Sequence, residues 1–324
     1  MAENATLYQR AQLGVESVPG TLVAATRLLA GSTITFTTEA ETTPLTPSGF
    51  KFPTIAALNR EWVTLEMSGP LNYTEIVYPL SSLISTVTPT GAGNAKTWSF
   101  APDSDGANTR TTYTLEHGSD EWGRRMGYCL FNGMTFNFSR RESTFSARAI
   151  AQALNDNFNM TDALSAVELL PALPTQQTIK IADTAAGLPG ASVLTRAFEA
   201  TVGIESLGTP IWPLNSGVSG FAAVVDSVPT TTSRFRVMVD TAGMAPLTKF
   251  RAGTTQFIRI TSTGGSISGG GNYTITLDVA MKILRPRFQD LDGVWTVDWE
   301  GVFTHDVTWG KALQIDVINT LTAL

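Results

Sequence analysis

Two histidines, His117 and His305, and one cysteine, Cys129, are the whole supply of imidazole and thiol in this 324-residue chain. Nucleophilic or metal chemistry must therefore run through these three or through carboxylates. Neither histidine falls in a His-x-x-x-His spacing or beside a cysteine, which argues against a zinc site. Ser–His–Asp triplets are easily drawn in so Ser-rich a chain, but the Gly-x-Ser-x-Gly turn that presents a nucleophilic serine is absent. Carboxylates offer Glu116 with Asp120, and Asp298 with Glu300 and Asp306, as acid and base for glycoside hydrolysis. Asp298 and Glu300 are two apart, so on a strand they share a face; a solvated face needs polar residues in any case. The glycines between Gly264 and Gly271 lack the lysine of a phosphate loop and read as a hairpin tip. Asp290-Leu-Asp-Gly293 lacks the further ligands of a calcium loop and reads as a turn. No reaction, metal or cofactor is indicated, and the expectation is a protein that is not an enzyme.

The elements that carry these residues are mostly strands. In Gly293-Val-Trp-Thr-Val-Asp-Trp-Glu300, Trp295, Val297 and Trp299 alternate with Thr296, Asp298 and Glu300. That is a ribbon with one apolar and one wet, acidic face. Met134-Thr-Phe-Asn-Phe-Ser139 repeats the pattern, with Phe136 and Phe138 against Thr135, Asn137 and Ser139. Other strands are expected at 33–38, 62–67, 144–151, 177–181, 193–202 and 235–239, separated by a proline-bearing loop over 40–60 and other turns. A helix is expected from Asn72 to about Ile84, with Asn72 as N-cap and Glu75 completing a variant capping box. Pro79 should shorten or bend it. A shorter helix is expected within 244–252.

Formal charge is −6 and charged residues make up 15% of the chain, with threonine abundant. No basic run exists, so binding nucleic acid by phosphate neutralisation is not expected. No signal peptide and no membrane-length apolar segment is seen, and a lone cysteine rules out an intrachain disulfide. Cys129, in Gly-Tyr-Cys-Leu-Phe, reads as a buried small hydrophobe in a reducing cytoplasm. The sequons at Asn72, Asn159 and Asn272 carry little meaning without secretion.

The order of elements recurs. Trp98 and Phe100 align with Ile258 and Ile260, Tyr113 with Tyr273, Arg125 with Arg285 and Gly133 with Gly293, all at one offset and without gaps. The expected organisation is a first β domain over 1–160, including an N-terminal arm over 1–31. A linker with helical character over 161–176 leads to a second β domain over 177–324.

The opening, Gln12-Leu-Gly-Val-Glu-Ser-Val-Pro-Gly-Thr-Leu-Val-Ala-Ala-Thr-Arg27, resembles the start of tail tube (major tail) proteins of long, non-contractile-tailed bacteriophages. The ending, Asp292-Gly-Val-Trp-Thr-Val-Asp-Trp-Glu-Gly-Val-Phe303 with Ala312-Leu-Gln-Ile-Asp-Val-Ile-Asn319, resembles the same family. The resemblance implies two tandem tube-type β-sandwich or half-barrel domains, each with a short flanking helix. It implies self-assembly into stacked rings, trimeric where a chain carries two such domains and hexameric where it carries one. Double-stranded DNA would pass through without specific binding, and tape-measure and tail-terminator proteins would be partners in the virion. No membrane is involved.

On that reading Thr135, Asn137, Ser139, Thr296, Asp298 and Glu300 face the lumen, while Phe136, Phe138, Trp295, Val297 and Trp299 are core. Arg124, Arg125 and Arg285 reach a neighbouring subunit, and the segments 1–31 and 40–60 contact the next ring. Lysine at 298 and 300 would then leave the fold intact. The alternatives are another phage structural protein (tail terminator, baseplate ring or capsid decoration protein) and a carbohydrate- or cell-surface-binding β-sandwich module.

Overall fold

The computed structural model describes residues 8–119, 121–152, 154–214 and 218–324. The chain is mainly β, with large antiparallel sheets. Its first half runs β1 (Arg10–Val15), β2 (Arg27–Leu29), β3 (Thr33–Leu45), β4 (Ile55–Pro70), α1 (Val77–Leu83), β5 (Lys96–Phe100), β6 (Tyr113–Gly118), β7 (Gly123–Ser139), β8 (Ser143–Ala151) and β9 (Leu154–Phe158). The second runs β10 (Gln177–Ala182), β11 (Ala197–Glu205), β12 (Gly208–Ile211), β13 (Ala223–Asp226), β14 (Thr230–Met238), α2 (Pro246–Ala252), β15 (Thr255–Ser266), β16 (Asn272–Leu291), β17 (Val294–Phe303) and β18 (Leu313–Asn319).

The pairing recurs between halves. Strands β3–β4–β8–β7 form an antiparallel set in the first, and β11–β14–β17–β16 in the second. In each set the long last strand shifts register midway, β7 at Phe131/Gly133 and β16 at Ile283/Arg285. Such a shift bends the strand, so its first part can join a different neighbour. There β7 pairs with β6 and β9, while β16 pairs with β15 and β18. The gap-free alignment expected from the sequence does not hold. Trp98 and Phe100 lie on β5, which pairs with β18, whereas Ile258 and Ile260 lie on β15. Gly133 sits at the bend of β7, but Gly293 sits in the turn before β17. Equivalent strands are joined by loops of different length, which no constant offset can follow.

Among the described residues two strand pairings tie the halves together. Strand β7 pairs with β11 from Met134↔Ile204 to Ser139↔Glu199, and β5 pairs with β18 from Phe100↔Ile315 to Lys96↔Asn319. Trp98, 1% exposed, donates its Nε1–H to Asn319 Oδ1 at 3.0 Å. One apolar cluster runs from Leu13 through Trp98, Phe136 and Trp299 to Val317.

Helix α1 begins at Val77, after a series of turns, and all seven of its residues are buried. Pro79 is its third residue, where the amide has no intrahelical acceptor, so the expected interior penalty does not arise. Asn72 does not cap the helix. Its Oδ1 accepts from Thr74 N–H at 3.0 Å and Leu170 N–H at 3.2 Å. Glu75 turns away to accept from Ala30 N–H at 2.6 Å, Gly31 N–H at 2.7 Å and Ser32 Oγ–H at 2.7 Å.

Two further expectations are corrected. The linker over 161–176 forms no α-helix but an extended strap ending in a 3-10 turn at Pro174–Gln176. Its amides are satisfied by the first half: Val167 N–H donates to Leu28 O at 2.8 Å and Ala172 N–H to Leu71 O at 2.7 Å. Residues 8–31 are likewise no free arm; β1 lies between β6 and β2. The first seven residues of that expected arm lie outside the described residues.

Candidate self-assembly surface

Across the junction the two four-strand sets become one eight-stranded sheet, ordered β3–β4–β8–β7–β11–β14–β17–β16. The registers define its faces. One row runs Ser139, Glu199, Arg236, Asp298, Arg287; the next runs Asn137, Thr201, Arg234, Glu300, Arg285. Strand alternation therefore places Thr135, Asn137, Ser139, Thr296, Asp298 and Glu300 on one side of the sheet. The intervening row, Phe138, Ala200, Phe235 and Trp299, is buried on the other side. Phe136 and Phe138 stack at 6.4 Å within that core.

The polar face is not the open acidic surface expected. Asp298 is 2% exposed and accepts from Arg234 Nη2 at 2.5 Å, Arg236 Nε at 2.7 Å and Gln289 Nε2 at 2.7 Å. Burial pushes its pKa up, but the hydrogen bonds from Arg236 and Arg234 outweigh that and hold it below the usual aspartate value. Arg236 is correspondingly raised by its bond to Asp298, against the effect of burial. It also meets Glu199 at 3.0 Å. Glu300 takes Arg285 at 2.6 Å and Arg287 at 3.3 Å. Thr296 is fully buried and donates to Gln289 O at 3.0 Å. The arginines that neutralise the carboxylates were missed, although Arg234-Phe-Arg236 carries the same two-residue period as Asp298-Trp-Glu300.

Trp295 departs from the core expectation in another way. It points to the same side as Val297 and Trp299 but is 56% exposed, stacked on Phe288 at 6.3 Å beyond the edge of the packed interior. Of the three arginines expected to reach a neighbour, Arg124 pairs with Asp156 at 3.2 Å and lies over Trp122 at 4.2 Å. Arg125 lies over Phe158 at 4.0 Å, and Arg285 holds Glu300.

The remaining chemistry-bearing residues are held apart from one another by local contacts. Glu116 is fully buried and accepts from Thr161 N–H at 2.9 Å; its expected partner Asp120 lies outside the described residues. His117 packs edge-on against Phe36, and burial with the nearby Arg124 charge lowers its pKa. His305 Nδ1 meets Ser104 Oγ at 2.8 Å. Cys129 is buried, and burial first, then the Glu16 charge, pushes its thiol pKa well up. Asp290 Oδ1 accepts from Gly293 N–H at 3.0 Å in the expected turn, and Gly269, Gly270 and Gly271 take positive φ at the expected hairpin tip. Asp306 accepts from Trp309 N–H at 2.7 Å. Among the described residues no group of three or more His, Cys, Asp or Glu side chains is placed to hold a metal ion.

Glu16, within the opening phrase, was also missed. It is 7% exposed and accepts from Gly20 N–H and Thr112 Oγ1–H at 2.8 Å, and from Thr114 Oγ1–H and Tyr128 N–H at 2.9 Å. Gly14 has no room for a side chain: a Cβ there would stand 2.4 Å from Ala24 O. The phrase thus folds back on itself around one carboxylate.

Two edges of the eight-stranded sheet are bare among the described residues: the outer side of β3, and β16 beyond Lys282, where β15 and β18 no longer pair. Because eight strands alternate in direction, these edges run opposite ways. The expected loop over 40–60 is instead a two-stranded continuation of β3 and β4, paired to Leu45↔Ile55. Phe50 and Phe52 at its tip are 63% and 76% exposed. No protein-family model matches the chain, and no curated protein matches it.

Proposed function

We propose that this chain is a structural, self-assembling protein whose copies close into rings that stack as a hollow tube, as in a phage tail through which DNA passes. The observation that carries this reading is the eight-stranded sheet with one continuous polar face and two bare, oppositely directed edges. A bare edge exposes unpaired backbone donors and acceptors, and closure into a barrel is one way to satisfy both at once. A head-to-tail contact between unlike edges closes into a ring when its rotation divides the circle.

The strand count favours three copies. Three eight-stranded sheets make a wall of about 24 strands. With strands ~4.8 Å apart its backbone radius is ~18 Å untilted and ~24 Å at ~40° tilt. After side chains that leaves a bore on the scale of a DNA duplex, whereas six copies would double the radius. The polar face would line the bore. Its carboxylates are matched by arginines, so the lining offers no concentrated positive field to retain phosphates. The β3–β4 ribbon beyond Glu61, whose N–H donates to Ser219 O at 2.9 Å, pairs only within itself over 55–60, extends by about 20 Å at ~3.3 Å per residue and ends in exposed aromatics. We assign it to the axial contact between rings.

Sedimentation and negative-stain microscopy of the purified chain across a concentration series test this reading. Trimeric rings or hollow tubes are expected. A chain that stays monomeric at every concentration and binds glycans would overturn it.

A further inference from the structure

The two bare edges differ in chemistry. Along β3, Thr35, Thr37 and Glu39 lie on the polar face and Phe36 on the other. Along β16, Arg285 and Arg287 lie on the polar face and Phe288 on the other. Phe288 and Trp295 are 46% and 56% exposed, a stacked apolar pair with no cover. Beside β3 a cavity of about 320 Å³ opens between Ile34, Phe36, His117, Trp122 and Arg124. Glu39 has no ion-pair partner among the described residues, while Arg285 and Arg287 share the single carboxylate of Glu300.

Resting on the ring-forming reading above, we propose that the β16 edge of one copy adds to the β3 edge of the next in one antiparallel register. In it Phe36 faces Phe288 of the partner subunit, Thr37 faces the partner's Arg287, and Glu39 faces the partner's Arg285. Three observations fix this. Polar faces coincide only when odd-numbered residues oppose odd-numbered ones. The regular run of β3 from Thr33 ends at its register shift after Glu41, and the bare run of β16 starts at its own shift before Arg285. Setting Thr33 against Leu291 pairs all seven residues of the β16 run with the first seven of the nine in the β3 run; a slip of two toward Glu41 pairs as many but sets Phe288 of the partner subunit against Thr38 instead of Phe36. The same register sets Phe288 of the partner subunit over the cavity beside Phe36 and brings the surplus cation to the unpaired carboxylate.

Charge also selects against the wrong assembly. Two β3 edges joined together would gather Glu39 and Glu41 from both copies, and two β16 edges would gather four arginines. Like charges across a strand pair destabilise it, so unlike edges pair and a two-fold dimer is disfavoured. Pro286, opposite Thr38 of the neighbour in this register, has no N–H, so the joined strands have one donor fewer at that position.

The test is a cysteine pair, Thr37→Cys with Arg287→Cys, in a chain whose native Cys129 is buried. Oxidised assemblies should give covalent dimers and closed trimers on a non-reducing gel, and each single variant should give none. Phe288→Asp, at a site exposed in the single chain, should leave its circular dichroism unchanged and lower assembly at least tenfold. Rings that form without cross-linking would overturn this register while leaving the ring reading intact. Cross-linking by Thr37→Cys alone would show like edges pairing and overturn it. An unsubstituted protein that never assembles would overturn the ring reading and this inference together.

Discussion

Replacing Asp298 by alanine should destabilise the isolated chain, and the size follows from what the carboxylate holds. Removing one member of a buried ion pair costs roughly 3–5 kcal/mol, because the remaining charge is left without compensation. Two features reduce this here. The Arg234 side chain is 35% exposed and is re-solvated, and Arg236 keeps Glu199 at 3.0 Å. About 2–3 kcal/mol remains, which for a chain of this length lowers the melting temperature by about 3–4 °C. The pH dependence has a definite sign. A carboxylate whose folded pKa is depressed contributes stability that is present above its unfolded pKa of ~3.9 and is lost as pH falls through the folded value. The gap between wild type and variant should therefore be constant from about pH 5 to 8 and shrink below about pH 4. Thermal or urea melts at several pH values, on protein kept below its assembly concentration, measure this. A variant within about 0.5 kcal/mol of wild type at neutral pH would refute the reasoning, as would a gap that persists undiminished in acid. Lysine at 298 should be worse than alanine, since it sets a third cation beside Arg234 and Arg236. The sequence-based expectation of an intact fold in that variant is therefore replaced.

Three other outcomes follow from described contacts. Glu16→Ala removes the acceptor of four hydrogen bonds and should cost about 3 kcal/mol, read as a lowered urea midpoint; an unchanged midpoint would mean those donors find other partners. Cys129 should resist thiol reagents in the native protein even at about pH 9, because its pKa is raised by burial, and should react at once in denaturant; rapid native labelling would contradict its burial. Limited proteolysis of the unassembled chain should cut first within the ribbon tip around Phe50 and Phe52, and assembled material should be protected there; equal cutting in both would exclude the tip from the axial contact.

The two-residue alternation at 133–139 and 293–300 made the strands and their two faces legible, because that period is a local property. Burial along those faces was not, because it depends on partners far away in sequence. Asp298 reads as solvated lining until Arg234 and Arg236, on a strand some sixty positions earlier, are laid beside it. Trp295 reads like Trp299, yet the packed interior ends between them. Glu75 stands where a capping-box residue would, but the amides of Ala30, Gly31 and Ser32 compete for it and win. The segment 161–170 has helix-forming residues, and pairing with Leu28 and Leu71 overrides them. The candidate surface was half visible: its residues were named, but its continuity across β7 and β11 and its arginine counter-charges emerge only from the pairing.

The pairing of β5 with β18 imposes an order of events on the chain as it is made. Residues 96–100 emerge early and have no strand partner until residues 313–319 exist. Throughout synthesis Trp98 waits for the side chain of Asn319, so a nascent chain carries an unfilled slot in its sheet. Contacts this distant in sequence form slowly, and until they form the protein offers edges besides the two at which its copies are proposed to meet. Completion of the fold thus acts as a timing gate: the slot beside β5 closes only once the last strand of the chain has been made.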